Sequence, residues 1–283
     1  AENAQVEGIA ATALTASTVV PVKRTNTCQI VAALLSVTGS AAQLAANGVF
    51  NSNIRDQIDF QLSLKLPQMV ASIAYSAWFG VEVTESSAAG SSARKMAGLI
   101  GTVGSYNNGI LTSEHGAVVT DNSGKAFDQD VFDNWLYSIA LNGGGANHRP
   151  TAVYCSLKAQ QKISTFDNMV NVTANVTDVE ALANLTAGQR VTKYIAPWGG
   201  VIDIIWEPQC AYSGTAANNW MAALCEPDLA MLNFRGDATE QGIQVERLAK
   251  VGDTDDRLLT WEGCLKAQVY AAHGILKNMT ISV

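Results

Sequence analysis

The stretch NIRDQIDFQLSLKLPQMVASIAYSAWFG, residues 53–80, decides the fold. Ile54, Ile58, Leu62, Leu66, Val70, Ile73 and Ala77 recur every three or four positions, the spacing that lines up apolar side chains along one face of a helix. Asn53 is placed to cap the first turn, Asp56 faces the positive end of the helix dipole, and Gly80 suits the stop. With a rise of about 1.5 Å per residue, the rod is roughly 40 Å long. Pro67 lies inside it, removes the hydrogen bond to the Ser63 carbonyl and is expected to kink it.

Upstream, residues 1–18 are small and polar and read as an extended arm. Residues 19–31, VVPVKRTNTCQIV, alternate: Val20, Val22, Arg24, Asn26, Cys28 and Ile30 share one face of an expected long strand, with Pro21 near its start. Both faces are partly polar, so this strand suits a hairpin arm lying on a neighbour. Downstream, TESSAAGSS (84–92) is a loop, and Arg94 to Ile100 reads as one or two helical turns. Residues 127–141 form an amphipathic helix with Phe127, Val131, Trp135 and Ile139 on one stripe; 152–155 is a short strand and 157–166 a short helix. After Gln189 the chain is β-rich. Pro197 to Gly200 joins two strands in a hairpin, WMAALCE and LAMLNF read as buried strands, and VGDTDD turns between strands over 243–250 and 257–270. The tail AAHGILKNMTISV continues as strand. With no repeat of fixed period, the pattern is α+β.

Composition narrows the function. Of 283 residues, 15% are charged, below the ~25% of an average domain. Low surface charge fits large self-association, because interface cores are depleted in charge. The net charge of -7 argues against tight nucleic-acid binding. Five scattered cysteines, none in a C-x-x-C pair, fit buried free thiols in a reducing compartment. There is no secretory signal at the start, and LPQMVASIAYSAWFG is too short and interrupted to span a bilayer.

The loop AAGSSARKMAGLIG (88–101) has the small residues and cations of a phosphate site but fails as one. The second glycine ahead of Lys95 is missing, and Met96 stands where a magnesium-binding Ser or Thr belongs. Ser92-x-x-Lys95 lacks the companion motifs of a penicillin-binding site, and there is no nucleophile elbow. His115, His148 and His273 lack metal-ligand spacing; the first two read as loop residues and His273 as partly buried. No catalytic residue, metal or cofactor is expected. Trp78 and Trp135 read as core anchors.

Taken in order, RTNTCQI, SVTGSAAQLAANG, the long helix, SSARKMAGLIG, YIAPWGGVIDIIWEP and LAKVGDTDDRLLTWEGCLKAQVYAAHGIL resemble a tailed-phage major capsid protein of the Hong Kong 97-type fold, in particular the SU-type phage major capsid or "major tail protein" family. The resemblance covers most of the chain. It implies an extended loop or arm over 1–44, and a peripheral domain over 45–126 whose spine helix spans about 53–80. An axial domain over 127–235 and returning peripheral strands over 236–283 follow. It also implies a further upstream strand of the extended loop, removed by maturation or outside this sequence. The implied function is a structural subunit that assembles into hexamers and pentamers around double-stranded DNA in a phage head built in the host cytoplasm. The implied partners are copies of itself, a portal, decoration proteins and nearby DNA bound without sequence specificity, with no membrane. An encapsulin-like or tail-tube protein is the alternative; an enzyme with a site assembled from distant residues ranks below both. In this frame Lys23, Arg24, Asp56, Asp59, Lys65, Arg94 and Lys95 are candidate intersubunit ion-pair residues, and Trp198, in a Pro-Trp-Gly-Gly turn, a candidate exposed contact.

Overall fold

The structure is a computed structural model that describes residues 24–47, 57–84, 93–102, 108–143, 148–166, 193–210, 219–234, 242–249 and 252–282. The long helix forms as α2, Gln57–Phe79, and runs on through Pro67. Its expected cap Asn53 and the Asp56 expected at the dipole end lie outside the described residues. Leu62, Leu66, Ile73 and Ala77 pack on the core, with Met69 and Trp78 fully in it. Val70, expected on this face, is 42% exposed. Met69, three residues after Leu66 and four before Ile73, holds the centre of the stripe instead.

The first described strand is β1, Gln29–Thr38, followed by the short helix α1, Gly39–Ala46. The strand expected over 19–31 is therefore displaced. Residues 24–28 are outside any strand, and 19–23 lie outside the described residues. An apolar inward face begins only with Val31, Ala33, Leu35 and Val37, of which Leu35 and Val37 are buried, and this alternation sets the strand.

β1 runs antiparallel along β9, Thr254–Ala267, with Gln29 opposite Gly263 and Thr38 opposite Thr254. The other edge of β9 carries two strands end to end: β7, Leu229–Asn233, against 263–267 and β8, Ile243–Arg247, against 257–261. β7 was expected to be buried, but Met231, Leu232 and Phe234 are 36%, 40% and 60% exposed because it is an edge strand. α2 packs on β1, so Leu35, Met69, Leu259 and Trp261 share one core.

The second sheet has six strands in the order β2-β10-β6-β3-β5-β4. These are β2 Val118–Asp121, β3 Ala152–Cys155, β4 Lys193–Ile195, β5 Val201–Trp206, β6 Trp220–Leu224 and β10 Gly274–Lys277. The expected 197–200 hairpin joins β4 and β5. β10 leaves β8 and β9 for this sheet, parallel to β2 and antiparallel to β6. α3 (Gln129–Asn142) and α4 (Leu157–Ile163) cover one face, capped by Asp128, which accepts from Val131 N at 2.9 Å, and by Ser156, which accepts from Ala159 N at 3.2 Å. Alternation along each strand divides the side chains. Val153, Met221, Ala223 and Leu276 join Phe132, Trp135 and Ile139 under the helices, whereas Tyr154, Trp220, Ala222 and Ile275 turn toward the α2 core. Trp78 at the end of α2 meets Tyr154 and Trp220 at ring-centroid distances of 5.4 and 5.3 Å, so aromatic contacts join the two cores.

Candidate functional site

The loop with the phosphate-site look is a cap. Residues 94–100, expected to be helical, contain no helical turn; Lys95 forms a single β-bridge to Val83 and the chain bends at 99–100. Their backbone donors go elsewhere. Leu99 N donates to Ala77 O at 2.8 Å, Ile100 N to Trp78 O at 2.9 Å and Gly98 N to Gly80 O at 2.8 Å. These bonds satisfy carbonyls that the end of α2 leaves without intrahelical donors. Lys95 exchanges backbone bonds with Val83 at 3.1 Å each, and Asn26 clasps Ala97, its Oδ1 accepting from Ala97 N at 2.8 Å. Met96 and Ile100 are fully buried. With their N–H groups committed to helix carbonyls, residues 98–100 cannot cradle an anion.

The candidate contact residues are not gathered into one site. Lys23 and Asp56 lie outside the described residues. Arg24 stacks on Tyr270, its guanidinium carbon 5.6 Å from the ring centroid. Asp59 is exposed in the first turn of α2, and Lys65 is half-buried one and a half turns on. Arg94 reaches Glu262 at 3.7 Å, an ion pair within the chain. Lys95 points outward. Trp198, expected to be exposed, is half-buried against the α3 core, with Arg149 5.9 Å from its ring centroid.

Sequence reasoning passed over one polar knot. His273 is fully buried, and His148 is half-exposed with its Nδ1 2.9 Å from Asp228 Oδ2. Cys225 N donates to His273 Nδ1 at 3.1 Å, which leaves Nε2–H to donate to the Gln268 carbonyl at 3.2 Å. That pattern uses the neutral ring. Burial lowers the His273 pKa below its ordinary value, against opposing pulls from the Gln268 carbonyl and the Asp228 charge. Burial raises the Asp228 pKa, but hydrogen bonds from His148 and Cys225 outweigh it, and the net shift is downward. Both groups are depressed on folding, so their stabilisation is present above the unfolded values and is lost as pH falls through the folded ones. For His273 the loss begins near pH 6.5; for Asp228 it follows below pH 3.8. Chemical denaturation from pH 7 to 5 is expected to show stability falling by up to about 1.4 kcal/mol per pH unit, and His273→Gln should flatten that slope.

The buried thiols of Cys155 and Cys210 are poor nucleophiles. Burial pushes Cys155 up to about 12 and also raises Cys210, whose thiol donates to the Trp220 carbonyl at 2.8 Å. Among the described residues no group of His, Cys, Asp or Glu could hold a metal, and no helix is long and apolar enough to cross a membrane. A groove of about 600 Å³ between residues 24–26 and β9 carries Arg24, Lys266, Glu82 and Glu114, charges of both signs.

Comparison with known proteins identifies the family. The sequence matches the SU10 major capsid protein family over residues 1–280. No curated protein matches it. The fold is that of the capsid protein of cyanophage A-1(L), at a TM-score of 0.60 and 14% identity over 89% of this chain and 77% of that one. The capsid of a native GTA particle is similar at 0.56 and 12%, over 98% and 81%. The SrpI encapsulin of Synechococcus elongatus PCC 7942 is similar at 0.52 and 14%, over 90% and 75%. The α+β architecture is thus that of the Hong Kong 97-type capsid proteins, and family and fold are those of structural proteins, not enzymes. An apolar-striped helix on a four-stranded sheet, a second sheet under its own helices and a family match from end to end place this chain in the SU10 major capsid protein family, as the structural subunit of an icosahedral phage head.

Proposed function

We propose that copies of this chain assemble into hexamers and pentamers that enclose double-stranded DNA, with a portal and decoration proteins completing the head. The observation that carries the reading is a second apolar stripe on α2. Phe60, Leu64 and Tyr75 lie on the face turned away from β1 and are 38%, 48% and 55% exposed. The outer face of β1 adds Ile30 and Leu34, 44% and 59% exposed. Surface of this kind is stable in water when a neighbouring subunit covers it. In this reading residues 1–44 form the arm, α2 is the spine helix of a peripheral domain over 45–126 and 236–283, and 127–235 form the axial domain. Lys23, Arg24, Asp56, Asp59, Lys65 and Lys95 meet neighbouring subunits, while Arg94 and Trp198 act first inside the chain. The net charge of -7 keeps packaged DNA from sticking to the shell.

The test is assembly of the full chain, followed by sedimentation and electron microscopy. Closed particles of uniform diameter are expected, and persistent monomers under every assembly condition would overturn the proposal. Leu64→Glu with Tyr75→Glu is expected to cut particle yield at least about tenfold, a change of about 1.4 kcal/mol in contact free energy, while the monomer melts as before. The encapsulin likeness supports a second reading, a cargo shell. Recovered particles that hold protein cargo and reject DNA in a packaging reaction would favour it.

A further inference from the structure

The β1–β9 register carries a consequence beyond shell building. Gln29 stands opposite Gly263, so one step further along the antiparallel pair brings Cys28 opposite Cys264. The chain keeps this alignment past the end of the strand, because Asn26 Nδ2 donates to the Leu265 carbonyl at 2.8 Å and to the Ala97 carbonyl at 3.1 Å. Directly opposed residues of an antiparallel pair have Cα atoms about 4.5–5.5 Å apart and side chains on one face. Both spacings lie inside the roughly 4.4–6.8 Å that a disulfide spans. Burial, with Cys28 close enough to add to it, raises the Cys264 pKa to about 11. Access is graded: Cys28 is half-buried, whereas Cys264 is 6% exposed and lines the groove beside β9. Cys155, Cys210 and Cys225 are all buried.

We infer that Cys28 and Cys264 form an oxidation site that closes to an intrachain disulfide when the folded chain meets an oxidised low-molecular-weight thiol such as glutathione disulfide. The more accessible Cys28, as thiolate, attacks the small disulfide and releases one small thiol. Cys264 then gives up its proton and attacks the Cys28 sulfur, releasing the second. Two protein S–H bonds are lost and one S–S bond is gained; the external S–S bond is reduced, and its two thiolates take the two protons. The new bond pins the root of the N-terminal segment to β9 and closes a loop that takes in most of the chain, so it also restricts the unfolded state.

The inference needs only the folded subunit and is tested on it without assembly. The full chain is incubated with glutathione disulfide, quenched with acid, and its free thiols are counted after denaturation. The expected result is a fall from five thiols to three, a dithiothreitol-reversible link between the Cys28 and Cys264 peptides by mass spectrometry, and a higher melting temperature. Cys28→Ser should keep every remaining thiol free, and Cys155→Ala should leave the link intact. Where Cys264→Ser fails to fold, prior alkylation of Cys28 on the native protein replaces it and should block the reaction. A count that stays at five, a link between Cys155 and Cys210, or a bond between two chains would overturn the inference.

Discussion

Gly98→Ala is expected to destabilise the subunit by at least about 3 kcal/mol and to drive most of it into aggregates. A Cβ on Gly98 would lie 2.6 Å from Gly80 N, 2.7 Å from Ser76 O and 2.9 Å from Ala77 O. All three are backbone atoms at the end of α2, where no side chain can swing aside. A relaxation that made room would have to pull residues 98–100 away from the carbonyls of Ala77, Trp78 and Gly80, undoing the cap. Unsatisfied carbonyls beside a buried core would follow. Gly116→Ala is the control. Its φ of 93° strains any side chain, but no atom lies within 4 Å of the added carbon, so the loss should be only about 1–2 kcal/mol. Urea unfolding of both variants, with soluble yield as a second readout, checks the contrast. Equal losses would mean that the close approach of the two glycines is unimportant.

Trp78→Ala is expected to cost about 3–5 kcal/mol, a large share of the ~5–15 kcal/mol that holds a domain together. The ring is 7% exposed and touches Tyr154 and Trp220 from the second sheet. Its removal leaves a cavity at the place where the two cores meet. The effect should spread accordingly. Hydrogen exchange is expected to speed up in β3 and β6 as well as at the end of α2. Tyr75→Ala, one turn earlier and 55% exposed, should stay within about 0.5 kcal/mol of the parent. Confinement of the exchange change to α2 would contradict the joining role given to Trp78.

Local pattern made much of this fold readable. Leu62, Leu66, Ile73 and Ala77 declare α2 by spacing alone, and Pro197 to Gly200 declares the β4–β5 turn by residue type. Trp78 and Trp135 are buried as bulky apolar side chains on helices should be. Resemblance carried the family, through the order of segments rather than any one motif. What escaped was decided at a distance. Residues 94–100 look helical by themselves but are held out of a helix by carbonyls at the end of another element. Arg94 finds Glu262 in β9, and nothing near it in sequence announces that partner. β1 starts late because its inward face is chosen by α2 and β9. The surface proposed to meet neighbouring subunits is hardest to read, since Leu64 and Tyr75 differ from core residues only in lying on the far side of the helix.

The place of β10 has a consequence for biosynthesis. This strand is not an edge of its sheet; it joins β2 to β6, which do not otherwise pair among the described residues. A nascent polypeptide halted before residue 274 would leave the ribosome with that gap open and two strand edges bare. Translation must pass residue 277 before the layer can close, so products truncated earlier would be recognised as unfolded and degraded instead of being built into a particle as defective tiles.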